Sequence, residues 1–154
     1  MNDLQKLLDD LKEPDPSVRK RATAALWLRW HEEAGDEATS RLQMGIQLLN
    51  EDQLDDAEEL FSLLASDFPD FPEAHNKLAT VLFLNGNYAL SIEECEITLD
   101  LNPYHFGAWN GLGLCQYQTG RFQEAILSFQ KALEIQPYSQ TNRVYIAKCR
   151  GKLN

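Results

Sequence analysis

The sequence predicts an all-α protein built from stacked helical hairpins. Pro69, Pro103 and Pro137 fall 34 residues apart. Gly45, Ala79 and Gly113 keep that interval, as do Ala57, Ser91 and Ala125, and Phe61, Cys95 and Phe129. Several registers sharing one period mark a repeat of one supersecondary unit, in which each unit buries its apolar face only against its neighbours.

The chain opens with Leu4, Leu7, Leu8 and Leu11, an i, i+3, i+4, i+7 stripe that predicts a short amphipathic helix. Pro14-Asp15-Pro16 breaks it. Asp15 is placed to cap a second helix with Pro16 in its first turn, and Val18, Ala22, Ala25, Leu26 and Trp30 form that helix's apolar face. Gly35 ends it. Residues 1–37 therefore read as a helical hairpin, expected to cover the open end of the first repeat. Trp27 points away from the apolar face and is expected to be partly exposed.

Three repeats follow, at 38–71, 72–105 and 106–139, each predicting two antiparallel helices. The third is the most regular. Its first helix carries Trp109, Leu112, Gly113 and Tyr117, Thr119-Gly120 make the turn, and Phe122, Ala125, Ile126, Phe129, Ala132 and Leu133 lie on its second helix. Small Gly113 and Ala125 allow a close helix crossing, which the large residues fill on either side. Gly120 permits a positive φ at the helix end. Pro137 has no backbone donor and stops the second helix. The second repeat has His75, Ser91 and Cys95 where the third has Trp109, Ala125 and Phe129. The first has Arg41 at the Trp position and Asp52 at the turn glycine.

This 34-residue pattern resembles the tetratricopeptide repeat, and the third repeat matches its signature at nearly every diagnostic position. The resemblance implies a right-handed α–α superhelix and a non-catalytic protein-binding role. The stretch His105-Phe106-Gly107-Ala108-Trp109-Asn110-Gly111-Leu112-Gly113 and the Trp-containing N-terminal hairpin resemble small single-domain members from bacteria and plastids. That implies an accessory, scaffold or assembly role. The hairpin beginning at Asp15-Pro16 also loosely resembles a HEAT-type unit.

Residues 140–154 read as a capping helix over the last repeat, with Ser139 placed to cap its start and Val144, Tyr145, Ala147, Lys148 and Cys149 on a mixed apolar face.

The formal net charge of −10 argues against sequence-independent binding of nucleic acid and against a polybasic membrane anchor. Lys77 is the one Lys or Arg between Leu42 and Gly120. The acid is expected to be a solvating face, or to steer a basic partner. No apolar run is long enough to span a bilayer. Three cysteines, an odd number with no Cys-x-x-Cys pair, suit free thiols in a reducing compartment, the cytoplasm or a plastid-type stroma. A monomer is expected.

No enzyme signature emerges. His31, His75 and His105 lack zinc or triad spacing and read as packing or cap residues. Gly107, Gly111 and Gly113 sit on a predicted helix, so they form no phosphate loop. Glu93, Glu94 and Glu96 read as a solvated face. No cofactor, metal or catalytic residue is assigned.

In the family that the repeat resembles, the first helices of the hairpins line a concave groove. The matching positions here are Leu42, Ile46, Leu49 and Asn50, then Asn76, Thr80, Phe83 and Leu84, then Asn110, Leu114, Tyr117 and Gln118. A mixed apolar and amide lining suits a peptide segment or a helix of a partner protein. The partner-binding set is Asn50, Asn76, Thr80, Phe83, Asn110, Leu114, Tyr117 and Gln118. One subgroup grips chaperone C-terminal carboxylates with basic residues, but the matching positions here are Leu42, Ile46, Lys77, Gly107 and Gly111, which gives no such clamp. The alternative is a structural adaptor that works through its ends or its acidic convex face, with the groove filled, in part by the N-terminal hairpin, or inert.

Overall fold

Prolines and left-handed turn residues divide the chain into helices. The structure, a computed structural model, describes residues 3–154, and among them are nine helices and no strand. They are α1 (Asp3–Asp10), α2 (Pro16–Glu32), α3 (Asp36–Asn50), α4 (Leu54–Asp67), α5 (Pro72–Leu84), α6 (Tyr88–Leu101), α7 (Phe106–Gln118), α8 (Phe122–Ile135) and α9 (Gln140–Leu153). Asp15 caps α2 by accepting the Ser17 N–H at 2.9 Å, and Pro16 and Pro72 occupy first turns. The three hairpin turns share one device: Gly86 and Gly120 have φ of 79° and 78°, and Asp52 takes the same left-handed conformation, with φ 63°. A short polar side chain tolerates that region better than most.

Hairpins α3/α4, α5/α6 and α7/α8 stack in order as a superhelix, each helix packing on the next, and α5 also touches α3 and α7. The small residues explain the close approach. Gly45 faces the ring of Phe61, and Gly113 faces the ring of Phe129. In the middle hairpin, Ala79 and Cys95 share one core cluster. A larger residue at the glycine register there goes with a smaller one at the aromatic register.

Helix α9 closes the array with Tyr145 stacked on Phe129 at 5.3 Å and edge-on to Tyr117 at 5.4 Å. Its inward residues are Asn142, Tyr145, Ile146 and Cys149, an i, i+3, i+4, i+7 set. Val144, Ala147 and Lys148, expected on that face, are exposed, because the helical repeat turns them outward. Ser139 does not cap α9 with its side chain. Its hydroxyl instead accepts the Asn142 amide at 3.0 Å.

The N-terminal hairpin does not stop at the first repeat. Helix α2 runs back across the array. Near its start the Arg19 guanidinium lies 3.9 Å from the centroid of the Tyr138 ring, beyond α8. In its middle Leu26 and Trp30 pack with Phe106 of α7, joined by Leu8 and Leu11 of the α1 segment. Near its end His31 reaches Glu73 of α5. Trp27, expected to be partly exposed, is half-buried and turned inward against His105 and Phe106. The helix carries aromatic residues on two adjoining faces, and both are used because α2 packs on α3 and also crosses to α5 and α7.

Candidate functional site

Between α5 and α7 the packed hairpins leave a recess of about 220 Å3. Asn76, Ala79, Thr80 and Phe83 of α5 form one wall, and Gly107, Asn110, Gly111 and Leu114 of α7 form the other. Ser91 and Cys95 of α6 lie at its floor. Gly107 and Gly111 of α7, one turn apart, both line the recess. A Cβ on Gly111 would meet Cys95 Sγ at 3.5 Å, an ordinary contact, so that position has room for a small side chain beside the thiol.

The recess brings together five of the eight residues read from the sequence as partner-binding: Asn76, Thr80, Phe83, Asn110 and Leu114. The amides are engaged within the protein, Asn76 donating to Glu73 at 2.7 Å and Asn110 to Asn142 at 2.9 Å. Thr80 is exposed and donates to the Asn76 carbonyl at 3.0 Å. Phe83 is half-buried against Tyr88, with ring centroids 5.4 Å apart. The other three lie outside the recess. Asn50 and Gln118 are exposed, and Tyr117 is held between Phe122 and Tyr145. Leu42, mapped to the groove, is fully buried in the first core cluster.

A second cluster was not legible in the sequence. Glu73, fully buried at the start of α5, is met from two other elements. His105 Nε2 donates to its Oε1 at 3.0 Å. His31 Nε2 of α2 lies 2.6 Å from Oε2, and Lys77 Nζ stands 3.9 Å from the same oxygen. His105 Nδ1 accepts the Ala108 N–H at 3.0 Å and so caps α7. That bond fixes the neutral tautomer with its proton on Nε2. The imidazole also stacks on Trp30 at 4.7 Å. Burial works to raise the Glu73 carboxyl, but the hydrogen bond from His105, the close approach of the His31 imidazole without hydrogen-bond alignment, and the Lys77 charge outweigh it and bring it to about 2. Each histidine takes a different carboxylate oxygen, and among the described residues no group of His, Cys, Asp or Glu could hold a metal ion.

His75 is also more than a packing residue. Its Nδ1 meets Glu94 Oε2 at 2.7 Å and its Nε2 meets the Pro69 carbonyl at 2.9 Å. Burial opposes its charge, but these two acceptors prevail and raise its pKa. Glu94 is therefore a paired, half-buried carboxylate, whereas Glu93 and Glu96 stay exposed as expected.

Lys77 is committed as well. Its ammonium lies 5.3 Å from the centroid of the Trp27 ring. The tip of that indole would be only 2.7 Å from a Cβ on Gly107, so Trp27 already occupies the gap that Gly107 leaves.

The cysteines carry no disulfide and are all buried. The Cys115 thiol donates to the Ser91 hydroxyl at 3.2 Å. Its interaction with the neighbouring Cys95 thiol lowers Cys115, against the pull of its burial, and raises Cys95.

Sequence profiles of the tetratricopeptide repeat match residues 42–106 and 107–139. The chain belongs to the tetratricopeptide repeat family. This tetratricopeptide repeat protein is 27% identical to a TPR repeat-containing protein of Rhizobium etli over 155 residues, 97% of this chain and 74% of that one. Its fold is similar to the first TPR of Spaghetti (RPAP3) bound to an HSP90 peptide, with a TM-score of 0.74 and 18% identity, over 75% of this chain and 92% of that one. The Sgt2 TPR domain from Aspergillus fumigatus gives a TM-score of 0.72 at 18% identity, over 76% and 79%. The Arabidopsis OM64 TPR domain gives 0.72 at 16%, over 79% and 98%. Among the described residues no helix is long and apolar enough to cross a membrane.

Proposed function

We propose that this chain is a non-catalytic protein-interaction module that holds a peptide segment or helix of a partner protein against α5 and α7. The observation that carries this reading is the open, uncharged recess between those helices. It is consistent with the Spaghetti domain described as bound to an HSP90 peptide and the yeast Sti1 domain described in complex with Hsp70. The ligand differs in kind, because Lys77 is occupied by Trp27 and Glu73, and Gly107 and Gly111 bring no charge. An assembly or accessory role fits a module with a docking groove and no catalytic constellation.

A second reading is supported by one feature of the outer face. A furrow of about 410 Å3 between α4 and α6 is floored by Leu78 and Leu82 and rimmed by Asp55, Glu58, Glu59 and Glu94, with Leu63 and Leu90 exposed in it. There the chain would act as an adaptor for a basic partner. A quantitative pull-down from the source cell separates the two. Phe83→Ala is expected to lose partners, and an Asp55→Lys, Glu59→Lys pair to keep them at raised salt. The opposite result replaces the groove reading with the adaptor reading.

A further inference from the structure

Helix α7 presents Gly107 and Gly111 to the same side, four residues apart. Both positions are gaps in a wall that other helices would fill with side chains. The chain itself shows what the first gap accepts: the Trp27 indole, delivered by another helix, seats against Gly107. The second position, Gly111, would bring a Cβ into ordinary contact with the Cys95 thiol alone, and it lines the recess between α5 and α7.

Its chemistry is restricted. None of the described residues lining it carries a charge. The hydroxyls of Thr80 and Ser91 both turn to backbone carbonyls, of Asn76 and Ala79. The amides of Asn76 and Asn110 donate to Glu73 and Asn142. The apolar side chains that reach the empty space are Phe83 and Leu114, with Ala79 and the Cys95 thiol buried behind them. Its volume of about 220 Å3 is below the range of a cofactor site, about 300–1,000 Å3. It exceeds the roughly 150 Å3 of an apolar cavity that admits one benzene ring. A charged or strongly polar group would lose its hydration here without a partner.

We propose that the Gly111 gap is an anchor pocket for a single large apolar side chain, of leucine, methionine or phenylalanine size, carried by a partner's peptide segment. This rests on the groove reading above and names what that groove selects. The anchor enters beside Trp27 as a second inserted side chain, one helical turn along α7. Selectivity follows from size and lack of charge, because an alanine leaves the pocket empty and a lysine or glutamate cannot be solvated in it.

The test uses the full chain, labelled with nitrogen-15, and capped five-residue peptides of glycine with one central residue. Central Leu, Met and Phe are expected to give saturable shifts of the Thr80, Gly111 and Leu114 amides. Central Ala, Lys and Glu are expected to bind at least tenfold more weakly. Gly111→Met should abolish the shifts without unfolding the protein, since its Cβ meets only an ordinary contact and α7 gains a better helix former. Gly111→Ala serves as a smaller plug should the methionine variant melt early. Equal shifts from the Lys or Ala peptides, or shifts that survive in a folded Gly111→Met variant, overturn the proposal. A cellular pull-down separates the two levels. Loss of partners with Phe83→Ala but retention with Gly111→Met keeps the groove and removes the anchor. Retention with both removes the groove reading and the anchor with it.

Discussion

A Cβ atom on Gly113 would stand 2.6 Å from Cε1 of Phe129, inside the van der Waals envelope of a fully buried ring. The obstruction cannot swing away, because Phe129 is itself held by Tyr145 stacked behind it at 5.3 Å. Gly113→Leu is therefore expected to destabilise the protein by about 2–4 kcal/mol, as overpacking of a close crossing does. Thermal melts check this, and an unchanged midpoint would contradict the packing described.

The middle hairpin supplies the converse experiment. Ala79 and Cys95 stand in the registers of Gly113 and Phe129. Cys95→Phe alone is expected to destabilise by about 1–3 kcal/mol, since the ring has no glycine to receive it. Adding Ala79→Gly should recover part of that loss. A double-mutant cycle reads the coupling directly, and strict additivity would show that the two sites do not share the space.

Glu73 ties α2 to the array, and its acid response has a defined sign. Its folded pKa of about 2 lies below the ordinary value of 4.5. The pairing therefore contributes fully above the ordinary value and is lost as pH falls toward the folded one. In a Trp109→Phe background the remaining tryptophans, Trp27 and Trp30, both sit on α2. Their fluorescence is expected to shift on acidification through that window. Glu73→Ala should cost about 3–5 kcal/mol at neutral pH by leaving its partners buried and unpaired. A wild-type stability between pH 4.5 and 2 that tracks Glu73→Gln would refute the assignment.

The array was legible because its signals are local and repeated. Gly45, Gly113, Phe61 and Phe129 recur at one interval, and each interval is set by the geometry of a single hairpin. The path of α2 was not legible. Its contacts join His31 to Glu73 and Trp27 to Gly107, pairs far apart in sequence that occur once and leave no period to detect. Asn76 and Asn110 read as groove amides because their register is right, but register says nothing of the internal acceptors, Glu73 and Asn142, that engage them. Glu94 read as solvated because its neighbours are acidic, whereas His75 across the hairpin decides its state.

The His75–Glu94 pair predicts a pH dependence of opposite sense. The folded His75 pKa is raised above the ordinary 6.5. Its contribution is full below the unfolded value and is lost as pH rises through the folded one. The difference in melting temperature between wild type and Glu94→Gln should be largest near about pH 6 and shrink by about pH 9, where the imidazole is neutral in both. A difference that stays constant or grows with pH would rule the pair out as a charged contact.

The groove should also refuse ligands that many charged grooves accept. A peptide ending in clustered carboxylates needs cations in reach, or it loses hydration without compensation. Here Lys77 lies over the Trp27 ring and 3.9 Å from Glu73, Leu42 is buried, and Gly111 adds no group. The formal net charge of −10 further repels an anionic ligand at long range. Acidic C-terminal peptides of the chaperone type are therefore expected to give no calorimetric signal at concentrations of about 100 μM, well above what a specific groove ligand would need. Duplex DNA and single-stranded RNA should likewise fail to bind at physiological salt, since counterion release requires several Lys or Arg contacts and the α5–α7 groove offers none free. Trp27→Ala is the informative variant. It removes the ring over Lys77 but leaves Glu73 beside it, so binding of the acidic peptide should remain absent. A micromolar affinity in the wild type would mean that Lys77 is free in solution and that the hairpin does not sit where the structure puts it.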